Sequence, residues 1–211
     1  MNVQTIILLI PPILLALTFH EYMHGWVAYK LGDPTAKMAG RLTLNPFVHL
    51  DPFGTLMLFI VRFGWARPVP VNPLNFRDPK KGVLYVSLAG PMANMFLAFL
   101  SGVAIRLIRA GSMGFLPPGI LKPVFLMLLL SLQINIALAI FNLLPIPPLD
   151  GSKILFGILP ARYEHIAIQM ERYGSMVLFV VIMLSWVTHI SIFGSIIYPF
   201  VDLFSKLFGG V

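Results

Sequence analysis

The sequence of 211 residues contains no cysteine and few charged residues. Without cysteine, the chain can form no disulfide and can offer no thiolate to a metal ion. Charged residues make up 11% and hydrophobic residues 58% of the chain, whereas soluble domains contain roughly 25% charged residues. Since so little charge cannot cover the surface of a soluble globule, the composition predicts a protein surrounded by lipid. The net charge is +7, but the basic residues are not clustered on one face, so we expect no nucleic-acid partner.

The sequence consists largely of long apolar runs, and we expect no sizeable soluble domain. A helix that spans a bilayer needs about 20 mostly apolar residues. The first run has no basic segment before it, and we do not expect it to be a cleaved signal peptide. We expect one membrane-embedded domain, 1–211, whose four spanning helices cover about 3–31, 83–107, 123–144 and 175–197. The tail, 198–208, predicts a short interfacial helix.

Three shorter segments do not fit a spanning helix. Residues 41–44 alternate in the manner of a short strand, and residues 52–65 are too few to cross, which indicates a re-entrant or interfacial piece. Residues 65–79 are rich in proline and predict an extended edge strand or polyproline segment. The expected fold is therefore an all-α polytopic membrane protein with about four spanning helices, a re-entrant or short β-like segment and an interfacial C-terminal helix.

The basic residues predict the topology of the chain. They concentrate in the loops 30–82 and 150–172, which this arrangement of spans puts on one side of the membrane. The opposite side has few basic residues: Arg106, Arg109, Lys122 and Lys206. Because cytoplasmic loops carry the excess of lysine and arginine, we expect a multi-pass protein of the plasma membrane with its loops 30–82 and 150–172 in the cytoplasm.

The motif His20-Glu21-Tyr22-Met23-His24 ends the first apolar run. Histidines four residues apart lie on one face of a helix, so His20 and His24 can bind the same ion. Glu21 is about 100° further round the helix, beside the metal, where a base can take a proton from a water molecule that zinc has acidified. The alternative is a pair of core histidines satisfied by carbonyl groups. Ionisable groups in an apolar helix are costly, which favours a functional site.

A catalytic zinc site needs a third protein ligand. Most of the acidic residues lie in polar or terminal stretches and are expected to be solvated: Asp33, Asp78, Glu164, Glu171 and Asp202. Asp150 instead follows an apolar run that Pro145, Pro147 and Pro148 break. Irregular backbone at membrane depth occurs where it lines a cavity or is buried in protein, so Asp150 is the preferred ligand. The alternative for Asp150 is an Asp-Gly turn, and the rival ligand, Asp51, lies in a turn-like Asp-Pro-Phe-Gly sequence.

Three motifs together resemble the site-2 protease family of intramembrane metalloproteases. They are His20 to His24, Gly90-Pro91-Met92-Ala93-Asn94 and the run from Asn142 to Gly151, NLLPIPPLDG. The segment 40–55, GRLTLNPFVHLDPFGT, is similar to that of compact bacterial and archaeal members. The resemblance covers about residues 4–155, which would form the catalytic core.

The resemblance implies one zinc ion bound by His20, His24 and Asp150, with Glu21 as the general base. It implies cleavage of a transmembrane-helix substrate after local unwinding. Because both metal-binding motifs lie at helix ends that face the basic loops, we expect the site near the cytoplasmic side. The resemblance also suggests that Asn142 and Asn94 hold the substrate backbone or the developing oxyanion. The alternative role of Asn142 is that of a helix cap. The alternative role of Asn94 is a hydrogen bond between closely packed helices. The inserted peptide-binding domain of some members is missing.

Two other functions share parts of this pattern. A divalent-metal transporter would carry ligands along a path, often in paired repeats, and no repeat is visible here. A membrane metalloprotease of the prenyl-protein type also has HExxH, but more spans and a second glutamate motif in place of Leu149-Asp150-Gly151. The sequence therefore favours an intramembrane zinc endopeptidase.

Overall fold

The computed structural model describes residues 3–61, 64–112 and 117–211. Nine α-helices occur in these residues: α1 (Val3–Lys30), α2 (Thr35–Met38), α3 (Pro46–His49), α4 (Pro52–Val61), α5 (Pro79–Arg109), α6 (Pro118–Asn142), α7 (Asp150–Ile158), α8 (Glu164–Thr188) and α9 (Ile192–Gly209). Two 3-10 turns, Pro73–Asn75 and Ala161–Tyr163, join them. The prediction of an all-α polytopic membrane protein is confirmed.

Five helices in the described chain are long and apolar enough to cross a membrane. They are α1, from Ile6 onward, α5, α6, α8, from His165 onward, and α9. The sequence predicted about four and placed the third at 123–144, but α6 begins at Pro118, since proline is well suited to the first turn of a helix. Helix α1 continues through Pro11 and Pro12.

The short segment 41–44 forms no strand, and residues 52–61 form a helix. No strand forms within the described residues, and residues 41–44 only bend, so the expectation of a short strand there was wrong. An antiparallel bridge joins Leu50 to Ala66. Helix α4 has 10 residues and is about 15 Å long, too short to cross a bilayer, as predicted. Arg62 and Phe63 lie outside the described residues.

Helices α1, α5, α6 and α9 pack together as a bundle. Its core includes Ala98 and Ile105 of α5 with Leu132 and Ile136 of α6. In lipid, helices associate through close packing rather than through the exclusion of water, so small residues at the contacts matter. Gly102 is one of them, because a Cβ there would lie 2.6 Å from Cβ of Phe208.

The C-terminal helix α9 is longer than predicted and belongs to this bundle. It begins at Ile192 rather than 198, and Phe193 packs edge-on against Phe141 of α6, with ring centroids 5.4 Å apart. At its other end, Arg106 donates to the carbonyl oxygens of Leu207 and Phe208, and Arg109 donates to that of Gly210. These bonds satisfy the last carbonyl groups of the helix, which have no partners within it.

The chain between α1 and α5 folds back over the end of α1, around the carboxylate of Asp33. Asp33 was expected to be solvated, but its side chain is buried. It accepts hydrogen bonds from the backbone of Thr35 and Asn72 and from Nδ2 of Asn75. These bonds fix the extended, proline-rich residues 67–72, which we call the proline strap, against α1.

Candidate metal centre

Two helices, α1 and α7, supply the candidate metal ligands. Helix α1 carries His20 and His24 one turn apart, and Asp150 is the first residue of α7. Helix α6 ends at Asn142 and the prolines after it prevent its continuation, so the chain turns back and directs Asp150 at α1. Gly151 permits the turn, because a Cβ there would lie 2.2 Å from the carbonyl oxygen of Leu143.

The three ligand atoms form a nearly equilateral triangle. Nε2 of His20 lies 3.0 Å from Nε2 of His24, and each of them lies 3.2 Å from Oδ2 of Asp150. All three side chains are buried. Tetrahedral zinc with ligands at about 2.0–2.1 Å requires ligand atoms about 3.3 Å apart. The triangle therefore has almost the size that one zinc ion needs.

The charge and hydrogen bonding of Asp150 also suit a cation. Burial alone would raise the pKa of Asp150, but the positive charge that His24 and His20 carry when protonated, His24 first, lowers it below its ordinary value. The group is therefore an anion at neutral pH. Its buried Oδ2 has no hydrogen-bond partner among the described residues, and an unsatisfied carboxylate oxygen in a protein interior is costly. A metal ion would remove that cost.

In its neutral form, each imidazole presents an unprotonated nitrogen to the centre. Nδ1 of His24 lies 2.7 Å from the backbone oxygen of Val86, and Nδ1 of His20 lies 2.6 Å from Oδ1 of Asn94. Since these oxygens only accept hydrogen bonds, each Nδ1 carries the proton. A neutral imidazole has only one N–H, so the two Nε2 lone pairs point into the triangle, as metal ligation requires.

Gly90 of α5 forms the wall of the centre. A Cβ at this position would lie 2.5 Å from Cε1 of His20 and 2.5 Å from Nε2 of His24. Any other residue would therefore push the imidazoles out of place. The Gly-Pro-x-x-Asn motif of α5 thus contributes twice to the centre, through the space at Gly90 and through the hydrogen bond of Asn94.

Glu21 lies next to the centre and is held by the proline strap. The backbone N–H of Val69 donates a 2.9 Å hydrogen bond to Oε2 of Glu21. The strap is fixed on both sides of this contact, since Arg67 N–H donates to the oxygen of His49 and Asn72 N–H donates to Asp33. Arg41 also donates to the carbonyl oxygen of Arg67, at 2.6 Å. The glutamate is half-buried, and Oε1 makes no hydrogen bond within the described residues.

The two predicted asparagines have different surroundings. Asn94 is fully buried and its carboxamide is bonded to groups of the protein: His20, Ala16 and Asn135. Asn142, the last residue of α6, is half-buried and donates one hydrogen bond to the oxygen of Leu138. The rival ligand Asp51 accepts from the N–H of Gly54, so it caps α4 as its turn-like sequence predicted.

Sequence reasoning missed two contributors, Val69 and Asn135. Val69 acts through its backbone, and no side-chain pattern reveals such a contact. Asn135 could have been noticed, because it is an amide within an apolar spanning segment, and polar groups in such segments are expensive and often functional.

Apolar helices around a buried His-His-Asp centre, with a glutamate beside it, define a membrane protein of the metallopeptidase class. Residues 115–185 match the model of peptidase family M50. "Putative zinc metalloprotease YwhC" of Bacillus subtilis (strain 168) is 39% identical over 207 residues, which cover 96% of this chain and 91% of that protein. This chain therefore belongs to peptidase family M50, the site-2 protease family; it is a membrane metalloprotease, and its cofactor is zinc.

More distant relatives carry the same description. Rip2 of Mycobacterium tuberculosis (strain ATCC 25618 / H37Rv) is 35% identical over 147 residues, 67% of this chain and 53% of Rip2. MJ0611 of Methanocaldococcus jannaschii is 30% identical over 142 residues, 65% of this chain and 63% of MJ0611. This chain thus spans about half the length of Rip2. No solved structure matches the chain.

Proposed function

We propose that the protein is an intramembrane zinc endopeptidase. It hydrolyses peptide bonds within or near a transmembrane segment of membrane-protein substrates. The observation that carries this proposal is the buried triangle of His20, His24 and Asp150 at the size of a zinc site, with Glu21 beside it on an apolar helix. Three protein ligands leave the fourth position of a tetrahedral ion open, which is the arrangement of catalytic zinc.

Each residue of the centre has a separate task. His20, His24 and Asp150 would hold the ion, and zinc when bound supplies a Lewis acid that activates water and polarises a carbonyl group. Glu21 takes the proton from the attacking water at its carboxylate and passes it to the leaving amine. The N–H of Val69 holds Oε2 of Glu21, so Oε1 is the oxygen available for this transfer.

The depth of the centre supports a substrate inside the membrane. His20 is ten residues before Lys30, the last residue of α1, and so lies about 15 Å from the end of that helix. The region of α1 around it is apolar enough to cross a membrane. A peptide bond can reach such a position when it belongs to a membrane-embedded segment.

The orientation of the protein is part of the proposal. The loops that flank the site hold most of the basic residues, which favours the cytoplasmic side of the plasma membrane for this end of the bundle. We also propose that residues 1–211 act as one domain, with the catalytic core at about 4–155.

The loop before Asp150, against which α8 lies, offers a route for the substrate. An apolar cavity of about 290 Å³ lies between the loop before Asp150 and α8, lined by Pro147, Tyr173 and Gly174, among others. Much of α8 exposes large apolar side chains, including Phe179 and Trp186. Asn142 borders the same loop, and its carboxamide could bond an unwound substrate backbone.

Two alternatives have less support. A transporter would need ligands along a path, but the described residues contain one group of three potential ligands, His20, His24 and Asp150. A protease of the prenyl-protein type would use a glutamate from a second motif, and here the third group of the triangle is an aspartate.

Two substitutions test the proposal with a single-span model substrate in detergent micelles. Glu21→Gln removes the base and should lower kcat by at least about 10²-fold, while zinc stays bound. Asp150→Ala should lose zinc as well as activity. Asp51→Asn is the control and should keep both. Cleavage by Glu21→Gln at the rate of the unmodified protein would exclude Glu21 as the base, and full zinc occupancy in Asp150→Ala would exclude Asp150 as a ligand.

A further inference from the structure

Two buried asparagines form a chain of hydrogen bonds that ends at a zinc-binding histidine. Asn94 of α5 and Asn135 of α6 both have 0% of their surface exposed. Oδ1 of Asn94 accepts from Nδ1 of His20 at 2.6 Å, and Nδ2 of Asn94 donates to Oδ1 of Asn135 at 2.9 Å. We propose that Asn94 and Asn135 are positioning residues that hold His20 in the protonation form and orientation that bind zinc. This inference rests on the proposed zinc centre.

The orientation of the Asn94 carboxamide follows from its donors. Its Nδ2 also donates to the backbone oxygen of Ala16 at 3.1 Å. Both of its N–H groups therefore point at oxygens that accept, and only Oδ1 is left to face His20. In the flipped orientation, an N–H of Asn94 would face Nδ1 of His20. Oδ1 of Asn94 would then face the oxygens of Ala16 and Asn135, and none of these three oxygens has a hydrogen to donate. The native orientation is the one in which all the groups are satisfied.

The orientation of Asn135 is set in the same way. Its Nδ2 donates to the backbone oxygen of Ser131 at 2.8 Å and lies 3.3 Å from the hydroxyl of the same residue. A backbone oxygen cannot donate, so Nδ2 of Asn135 must face Ser131 and Oδ1 must face Asn94. The chain of bonds thus connects a backbone oxygen of α6 to the imidazole of α1, and every amide in it has one direction.

A neutral His20 carries its proton on either Nδ1 or Nε2, and the orientation of Asn94 selects between these two forms. Oδ1 of Asn94 accepts a hydrogen bond that only the Nδ1–H of His20 can donate, so in the neutral ring Nε2 keeps its lone pair. If Asn94 were flipped, Nε2 would be the protonated nitrogen and its N–H would point at the position of the metal. Histidines that bind metals usually donate their other N–H to a fixed acceptor, and loss of that acceptor typically costs 10- to 100-fold in affinity.

Helix packing alone does not explain this arrangement. Buried amides can join membrane helices, but a side chain that only joined α5 to α6 would need no bond to His20. Asn94 of α5 bonds residues of two other helices, α1 and α6, and its shortest contact is the one to His20. His24 gives a comparison within the same centre, because its Nδ1 is held by a backbone oxygen, that of Val86.

The test measures zinc affinity and histidine protonation rather than cleavage. Asn94→Leu and Asn135→Leu remove the polar groups at nearly constant volume. Zinc affinity is measured in micelles by competition with a chromophoric chelator, and ¹⁵N NMR of the zinc-free protein at alkaline pH reports which nitrogen of each histidine carries the proton. Ile136→Ala is the control, since Ile136 is a buried neighbour of Asn135 with no polar contact.

We expect Asn94→Leu to weaken zinc binding by 10- to 100-fold and Asn135→Leu by several fold. His20 should gain the Nε2–H form in Asn94→Leu, whereas His24 should keep Nδ1–H. Ile136→Ala should unfold at a lower temperature and keep its zinc affinity. If Asn94→Leu does not fold, Asn135→Leu decides the result through the same two measurements.

Wild-type zinc affinity with an unchanged His20 signal in either folded asparagine variant would overturn the inference. Loss of affinity in Ile136→Ala to the same degree would also overturn it, because the effect would then be one of stability. A failure of the proposed peptidase function has a different signature, since it would leave zinc binding intact and cleavage absent in the unmodified protein.

Discussion

The backbone N–H of Val69 lies 2.9 Å from Oε2 of Glu21 and donates to it. The two residues are distant in sequence, and the proline strap brings them together. Pro68 and Pro70 lack an N–H, so Val69 is the one residue of the three that can donate. The side chain of Val69 is buried against α1, where a Cβ on Gly25 would lie 3.1 Å from Cγ1 of Val69.

Substitution of Val69 by proline should impair catalysis without loss of zinc. The variant lacks the N–H, and its ring occupies the place of the hydrogen bond, so Glu21 loses its fixed orientation. A hydrogen bond to a charged group contributes about 1.5–3 kcal/mol, so we expect kcat to fall by about 10- to 100-fold. Cleavage of the single-span substrate and zinc affinity are the measurements.

Val71→Pro is the matched control for this change. The N–H of Val71 makes no hydrogen bond within the described chain, so an added proline at that position should alter kcat much less. An unchanged kcat in Val69→Pro would show that the strap does not orient the base.

Substitution of Gly90 by alanine should block the metal centre. The added methyl group would lie 2.5 Å from His20 and His24, well inside van der Waals contact. Since the three nearest atoms all belong to the imidazole rings of His20 and His24, these rings have to move. We expect zinc affinity to fall by at least about 100-fold, at the upper end of effects next to a metal ligand, as measured by chelator competition.

Gly119→Ala is the control that tests whether the loss of zinc affinity is specific to position 90. A Cβ at Gly119 would meet nothing within 4 Å, and alanine favours a helix by up to about 1 kcal/mol over glycine. This variant should bind zinc normally and unfold at the same or a higher temperature. Normal zinc affinity in Gly90→Ala would contradict the contact of Gly90 with the two ligands.

Substitution of Asp33 by asparagine should destabilise the protein in a pH-dependent way. Burial opposes ionisation of Asp33, but hydrogen bonds from Thr35, Asn75 and Asn72 outweigh it and lower its pKa below the ordinary 3.8. A lowered folded-state pKa means that the carboxylate stabilises the fold above the unfolded-state pKa. That contribution is lost as the pH falls through the folded-state value.

At pH 7 we expect the free energy of unfolding of Asp33→Asn to be about 1.5–3 kcal/mol below that of the unmodified protein. The difference should shrink as the pH falls below 3.8. Denaturant titrations of the zinc-free proteins in micelles measure it. Asp202→Asn, which removes an exposed ion pair with Lys206, should cost about 0.5 kcal/mol or less. A difference for Asp33 that stays constant down to acid pH would contradict the pKa assignment.

Much of the fold and the centre could be predicted because local patterns determine them. The low charge and long apolar runs required helices in lipid, and the spacing of His20 and His24 puts their side chains on one face of any helix. The broken helix before Asp150 indicated a buried, irregular wall. The structure brings these three residues together, while their roles as ligands, and that of Glu21 as base, stay proposals until the tests above.

Other features could not be predicted, since they depend on contacts between distant residues. Asp33 lies in a polar sequence and was expected in solvent, yet the strap and the turn after α1 enclose it. The C-terminal helix was expected at the interface, yet Gly102 leaves room for Phe208 and draws α9 into the bundle. Packing partners of this kind leave no signal in local composition.

The sequence by itself determined that this protein lies in lipid and that His20, Glu21 and His24 share one end of an apolar helix, because composition and the 3.6-residue period act locally. Only the tertiary structure decided which nitrogen of each histidine faces the centre and how near Asp150 lies to the two histidines. It also decided which oxygen of Glu21 is not held by the N–H of Val69. Those properties depend on Asn94, Val86 and Val69, which other segments of the chain supply. Hydrogen bonds reach across about 3 Å, and only the packed fold brings such groups so close.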